Sequence, residues 1–271
     1  DLEVSTKSMN HPIRVLVFFF NETATTEIYT GDNEPYYDVL AERAPGAAVV
    51  DLAHALPPQD LRRAAYALFE ALPYLPEGAV VLAVVDPGVG TARRAVAALG
   101  RWTYVGPDNG LFTLAWLLDP PRRAFLLEPP RPRPKAALPG WAPGEATFHG
   151  RDVFAPAAAH LALGLPPEGL GPEVPVETLA RLPLALTEGP EGEVLTFDRF
   201  GNAITTLLRA PVGGFVEVGG RRVPVRRTFG EVPEGAPVAY LGSAGLLEVA
   251  VNRGSAREAL GLKEGMPVRL L

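Results

Sequence analysis

Apolar and polar positions divide the chain into two stretches of different rhythm. In the first, apolar runs alternate with helical spacing. Ile13–Phe20 is β-branched and aromatic without a breaker and predicts a strand. Ala47–Leu52 predicts a second, shorter one. Across Gln59–Tyr74 the period changes: Leu61, Ala65, Leu68 and Leu72 recur on one face of a predicted helix. Ala79–Val85 is apolar throughout and bounded by Gly78 and by Asp86-Pro87-Gly88, as a central strand covered on both faces would be. Thr103–Val105 and Ala124–Leu127 read as strands, with a turn at Gly106–Gly110 and a helix at Leu111–Leu118 between them. Asp152–Leu163 reads as a helix with Asp152 as N-cap and Pro156 near the first turn. Strands alternating with helices predict an α/β domain with a mostly parallel central sheet.

Leu165–Pro190 is rich in loop residues, and beyond it the spacing shortens. Glu193–Phe197, Ile204–Leu208, Phe215–Val218, Arg222–Val225, Val238–Leu241, Leu246–Val251 and Val268–Leu271 predict seven short strands. Their spacing fits a smaller all-β, barrel-like domain. The boundary falls near residue 185, giving an α/β domain over 11–185 and a β domain over 186–271. Residues 1–10 lack periodicity and read as a tag or a disordered stretch. Asn21–Tyr37 carries no helix or strand signal, and Pro129–Gly144 is a proline-dense loop. Up to about residue 38 the chain is rich in Asn, Thr, Ile and Lys; afterwards it is rich in Ala, Leu, Pro, Arg and Gly.

Composition narrows the function. Of 271 residues, 47% are hydrophobic and 21% charged, ordinary for a soluble globular protein. No apolar run approaches the roughly 18 residues that span a bilayer. No signal peptide is expected, because no basic segment with a small-residue cleavage site precedes Ile13. With no cysteine, disulfides, thiolate nucleophiles and cysteine zinc sites are excluded. Net charge is −6, against the basic footprint of a nucleic-acid binder. The one dense basic run, Arg221, Arg222, Arg226 and Arg227, alternates with Val223 and Val225 and reads as the wet face of a strand. A cytoplasmic enzyme acting on a small molecule fits best, with no nucleic-acid or membrane partner.

Five clusters could carry chemistry. Asp86 ends the most apolar run, before Gly88 and Gly90, where open α/β sheets place ligands; Arg93 returns seven residues later, near enough to pair with it. Pro107-Asp108-Asn109-Gly110 is by itself a turn signal. His149, beside Gly150, stands at a loop-to-helix junction suited to proton work. Asp198-Arg199-Phe200-Gly201-Asn202 and Gly242-Ser243-Ala244-Gly245, with Glu248 beyond, place polar groups at strand ends. His54 and His160 read as structural and His11 as exposed. The histidines show no zinc spacing, and no G-x-S-x-G elbow is present.

Taken together, VVDLAHALPPQDL (49–61), VVDPGVGTARR (84–94), GPDNGLF (106–112), TFHGRDVFAPAAAHLALG (147–164), DRFGNAITT (198–206) and GSAGLLEVAVNRGSA (242–256) resemble the S-adenosylmethionine (SAM) hydroxide adenosyltransferases. These adenosine-forming SAM hydrolases are related to the fluorinase and chlorinase. The resemblance covers about residues 39–271. It implies hydrolysis of SAM to adenosine and L-methionine, without metal or cofactor. It implies a homotrimer, with SAM between the first domain of one subunit and the second domain of its neighbour. It assigns Asp86, Arg93 and His149 to the activation of water, and Asn202, Ser243, Glu248, Val251 and Asp198 to substrate binding. The alternatives are a non-catalytic adenosine- or SAM-binding protein and a SAM-dependent halogenase; the fluorinase lacks the Asp-Arg-His set. In one place the chain departs from the family. The first strand normally ends in Ser/Thr-Asp-Phe-Gly, whose Asp holds the ribose. Here Phe19-Phe20-Asn21-Glu22 stands there, and ungapped alignment puts Ala24 at the Asp.

Overall fold

The computed structural model describes residues 15–21, 34–53, 56–57, 59–127 and 149–271. The readings made for Asp1–Asn10, His11, Ala24, His54 and Pro129–Gly144 lie outside them. The chain groups into two compact units, one of residues up to Asp60 plus Ala71–Ala180, the other of Leu61–Glu70 plus Arg181–Leu271.

In the first unit a seven-stranded sheet runs in the order β2-β1-β3-β5-β4-β6-β7. Its strands are β1 (Val15–Asn21), β2 (Ala48–Ala53), β3 (Val80–Val85), β4 (Ala95–Leu99), β5 (Thr103–Pro107), β6 (Arg123–Leu126) and β7 (Glu173–Val174). β2, β1, β3 and β5 are parallel neighbours; the pairings β5–β4, β4–β6 and β6–β7 are antiparallel. The sheet is therefore mixed, not mostly parallel as expected. The cause is a hairpin: β4 turns straight into β5 through Gly100-Arg101-Trp102 instead of crossing over by a helix. Asp119 holds that turn, accepting from the Arg101 and Trp102 N–H groups at 2.8 and 3.0 Å and from the Tyr104 hydroxyl at 3.1 Å. A side chain at Gly100 would strike the same carboxylate.

β3 is buried along its whole length. Its alternate residues Val80, Leu82 and Val84 pack with Leu40 and Ala44 and with Phe154, Ala158 and Leu161. The first two come from helix α1 (Glu34–Arg43) and the residue just beyond it; Ala158 and Leu161 belong to α4 (Ala155–Ala162). No part of α1 was expected from the sequence, because Tyr36 and Tyr37 side by side blur the helical period. The helix expected from Leu111 is only Ala115–Leu118 (α3). Asn109 accepts from the Leu111 N–H at 3.2 Å, and Thr113 bonds back to Gly110, so turns occupy the interval. Asp152 does not cap α4: its carboxylate pairs with Arg151 at 2.6 and 3.0 Å, and a five-residue π-type turn, Gly150–Phe154, precedes the helix.

The second unit is an antiparallel sheet ordered β11-β10-β14-β8-β9-β13-β12. Its strands are β8 (Glu191–Phe197), β9 (Ala203–Thr205), β10 (Phe215–Val218), β11 (Arg221–Pro224), β12 (Pro237–Leu241), β13 (Leu247–Val251) and β14 (Pro267–Leu270). Val225 bridges to Ala239, so the end strands β11 and β12 nearly meet and the sheet is barrel-like. Val216, Val218, Val223, Val225, Val249 and Val268 fill it. Of the arginine run, Arg221, Arg222 and Arg227 are exposed, and Arg222 lies 3.8 Å over the Phe215 ring. Helix α2 (Leu61–Ala71) buries Ala64, Ala65, Leu68 and Phe69. Its Arg62 anchors to β8 through the Val194 carbonyl at 3.1 Å and the Glu193 carboxylate at 2.5 Å.

Candidate active site

Asp86 follows directly on β3, so its position is set by the most buried strand of the sheet. The next residues turn tightly, with Gly90 at φ +77° and the Thr91 hydroxyl donating to the Gly88 carbonyl at 2.6 Å. That turn sends Arg93 back over Gly88, where an added Cβ would stand 3.3 Å from the Arg93 side chain. Arg93 Nε donates to Asp86 Oδ1 at 2.9 Å, and its Nη2 donates to Asp86 Oδ2. The Asp86 side chain has no exposure, and that of Arg93 has 9%. Burying such a pair gains little stability, since desolvation offsets the attraction.

His149 completes the cluster. Its Nδ1 lies 3.0 Å from Arg93 Nη2. A guanidinium can only donate, so Nδ1 accepts and the ring proton sits on Nε2. Burial lowers the His149 pKa below the usual histidine range, and the Arg93 charge lowers it further; Asp86 and Asp152 act in the opposite sense. The neutral ring is therefore the favoured form. Three of the five guanidinium N–H groups are engaged, and Nη1 has no partner among the described residues. A cavity of about 300 Å³ opens here, lined by Arg93, His149, Arg94, Ala95, Leu127 and Val153 among others; Asp86 lies behind Arg93 and is not among its lining residues.

The neighbouring arginine goes the other way. Arg94 Nε donates to Asp108 at 2.7 Å, and Asp108 also accepts from the Ala180 N–H at 2.7 Å. Asn109 donates to the Val85 carbonyl at 2.8 Å. The Pro-Asp-Asn-Gly segment thus acts as a fastened turn that braces the end of β3. His160 donates from Nε2 to the Pro166 carbonyl at 2.8 Å.

The second unit carries its own cluster. Asp198, Asn202, Glu248 and Val251 line one cavity of about 630 Å³. Asp198 fastens its own turn, accepting from the Phe200 and Asn202 N–H groups at 2.8 and 2.9 Å and from Asn202 Nδ2 at 2.9 Å. Gly201 is required there: its φ is +81°, and a Cβ would meet Ser255 Oγ at 2.2 Å. Asn202 keeps its amide oxygen and one N–H for a ligand. Burial pushes the Glu248 pKa up, and Asp198 and Glu70 add to this against the hydrogen bond from Tyr240. Ser243 is not among the cavity's lining residues; its hydroxyl donates to Glu70 at 3.3 Å. Sequence analysis did not select Phe200, Phe229 or Tyr240, which line the same cavity. Phe200, in a turn, is 61% exposed, and Phe229, opening a short 3-10 helix, is 56% exposed.

Among the described residues no group of three or more His, Asp or Glu side chains could hold a metal ion. None of their helices is long and apolar enough to cross a membrane.

Both halves of the chain match models of one known family. The model of the SAM hydroxide adenosyltransferase N-terminal domain matches residues 35–171, and that of the C-terminal domain matches 192–269. A protein of Thermus thermophilus named (R)-S-adenosyl-L-methionine hydrolase is 96% identical over 245 residues, covering 89% of this chain and 96% of its own. A protein of the same name from Salinispora arenicola is 46% identical, over 86% of this chain and 90% of its own. A fluorinase of Actinopolyspora mzabensis is 28% identical, over 95% of this chain and 97% of its own. The crystal structure of a conserved hypothetical protein from Thermus thermophilus superposes with a TM-score of 0.82 at 82% identity, covering 95% of this chain and 99% of its own. The chain belongs to the SAM hydroxide adenosyltransferase family.

Proposed function

We propose that this chain hydrolyses S-adenosyl-L-methionine to adenosine and L-methionine. Water attacks C5′; the C5′–O bond forms, the C5′–S bond breaks, and its electron pair neutralises the sulfonium. The observation that carries this reading is the convergence of Asp86, Arg93 and His149 around one buried guanidinium. Relatives are named for the (R) epimer at sulfur, and the reading extends to that epimer.

In this mechanism the nucleophilic water rests against the His149 Nε2–H, beside the Arg93 guanidinium. The fixed positive charge favours hydroxide character. Asp86 holds the guanidinium in place from its far side, and the proton released by the water passes to solvent. Held at near-attack geometry, such a water can gain up to about 7–11 kcal/mol of the barrier. The sulfonium is already a good leaving group, so the reading calls on no cofactor. In the second unit, Phe200 and Phe229 offer faces for the adenine ring and Asn202 reads its edge. Asp198 supplies negative charge toward the methionine ammonium, and Glu248, Ser243 and Val251 complete the binding set. The whole site forms in a homotrimer, where the first unit of one subunit meets the second unit of its neighbour.

The test is incubation with each SAM epimer in concentrated chloride, with products separated by chromatography. Adenosine and methionine in equal amounts support the reading. A 5′-chloro nucleoside would indicate a halogenase, and calorimetric binding without turnover a binding protein.

A further inference from the structure

Phe154 is fully buried and touches two members of the centre. The Arg93 guanidinium carbon lies 5.2 Å from the centroid of its ring. His149 meets the same ring edge-on, with centroids 6.4 Å apart. His149 and Phe154 stand five residues apart. In an α-helix of 3.6 residues per turn, side chains five apart point about 140° away from each other. Here the intervening turn is of π type, with the Ala155 N–H donating to the Gly150 carbonyl five residues back. The wider turn stacks residues five apart as an α-helix stacks residues four apart. One short segment therefore delivers both the imidazole and an aromatic face to Arg93, the kind of place where isolated π turns recur.

We propose that Phe154 is a positioning residue for hydrolysis: its ring fixes the plane of the Arg93 guanidinium, so that Nε and Nη2 bind Asp86 and Nη2 reaches His149. The inference rests on the reading of the chain as a SAM hydrolase. A guanidinium with three of its five N–H groups engaged by one carboxylate and one imidazole can still tilt about the Asp86 contact. The electron-rich ring face opposes that tilt, and an aliphatic side chain of similar bulk does not.

The test compares Phe154→Leu, Phe154→Tyr, Arg93→Ala and the double variant Phe154→Leu/Arg93→Ala. Phe154→Leu should lower kcat by about 10- to 100-fold, as misplacement of a reacting group does, with KM within about twofold. Phe154→Tyr, which keeps the ring face, should recover most of the rate. The double variant should be no slower than Arg93→Ala alone, because Phe154 acts through Arg93. A readout free of turnover is the NMR titration of His149, which faces Arg93, Asp86 and Asp152. Once the guanidinium can move off, the ring should titrate higher in Phe154→Leu. Wild-type kcat in Phe154→Leu, multiplied losses in the double variant, or an unmoved His149 titration would overturn the proposal. If the wild-type protein fails to turn SAM over, the hydrolase reading falls, and the His149 titration still decides whether Phe154 holds Arg93.

Discussion

At the scale of single residues, burial sorts the polar groups by task. Asp86 is a carboxylate sealed behind a guanidinium, and removing either partner strands a buried charge. Asp86→Asn should therefore lower kcat by about 10²–10³-fold in steady-state assays, by freeing the guanidinium it holds; a rate near wild type would remove Asp86 from the mechanism. The neutral, Nε2-protonated His149 is the form that bonds Arg93, so protonation at Nδ1 breaks the cluster. The rate should fall as pH drops, with a midpoint below the ordinary histidine value of about 6.5. An acid limb centred above that value would contradict the assigned tautomer. Glu248 works with the opposite sign. Its folded pKa is raised, so between the unfolded value of about 4.3 and the folded one the native protein keeps a proton that the unfolded chain releases. Its contribution is whole below that window and is lost as pH rises through it. Glu248→Gln should flatten the fall in Tm as pH rises above the unfolded value of about 4.3; parallel curves for variant and wild type would refute the shift.

Elements explain what was and was not legible in the chain. The strands of the second unit were read to within a few residues, because Val and Phe alternate with charged residues in runs such as Phe215–Val218. β3 was plain because all of its residues are apolar. β4 was missed: Ala95–Leu99 has small residues and no alternation, and its strand character comes from two antiparallel neighbours. The π-type turn was equally hidden, since Asp152 before an alanine-rich run looks like a cap. Asp86 and Arg93 could be paired from their spacing, whereas His149 needed the family resemblance to join them across 56 residues of chain. The hairpin that makes the sheet mixed depends on one carboxylate. Asp119→Ala orphans two backbone donors and a hydroxyl, at about 1–3 kcal/mol each where burial is complete. Chemical denaturation should show a loss of several kcal/mol, and a change near zero would mean that solvent satisfies those groups.

At the scale of the molecule, the proposed reading gives each unit half of what hydrolysis needs. The first carries the guanidinium, imidazole and carboxylate around a small cavity; the second carries an aromatic-walled cavity edged by Asn202 and Glu248. Neither cluster alone can both bind a nucleoside and place water at its C5′. Ligand binding should accordingly stabilise the native protein by mass action, by about 2.7 kcal/mol at a hundredfold excess over Kd. Thermal scans with adenosine and methionine measure this, and an unchanged Tm at saturating ligand would speak against a shared product site. The most direct test of the central claim is turnover of SAM in heavy-oxygen water, with the products analysed by mass spectrometry. The account predicts one heavy oxygen in the 5′-hydroxyl of adenosine and none in methionine. Unlabelled adenosine would contradict it.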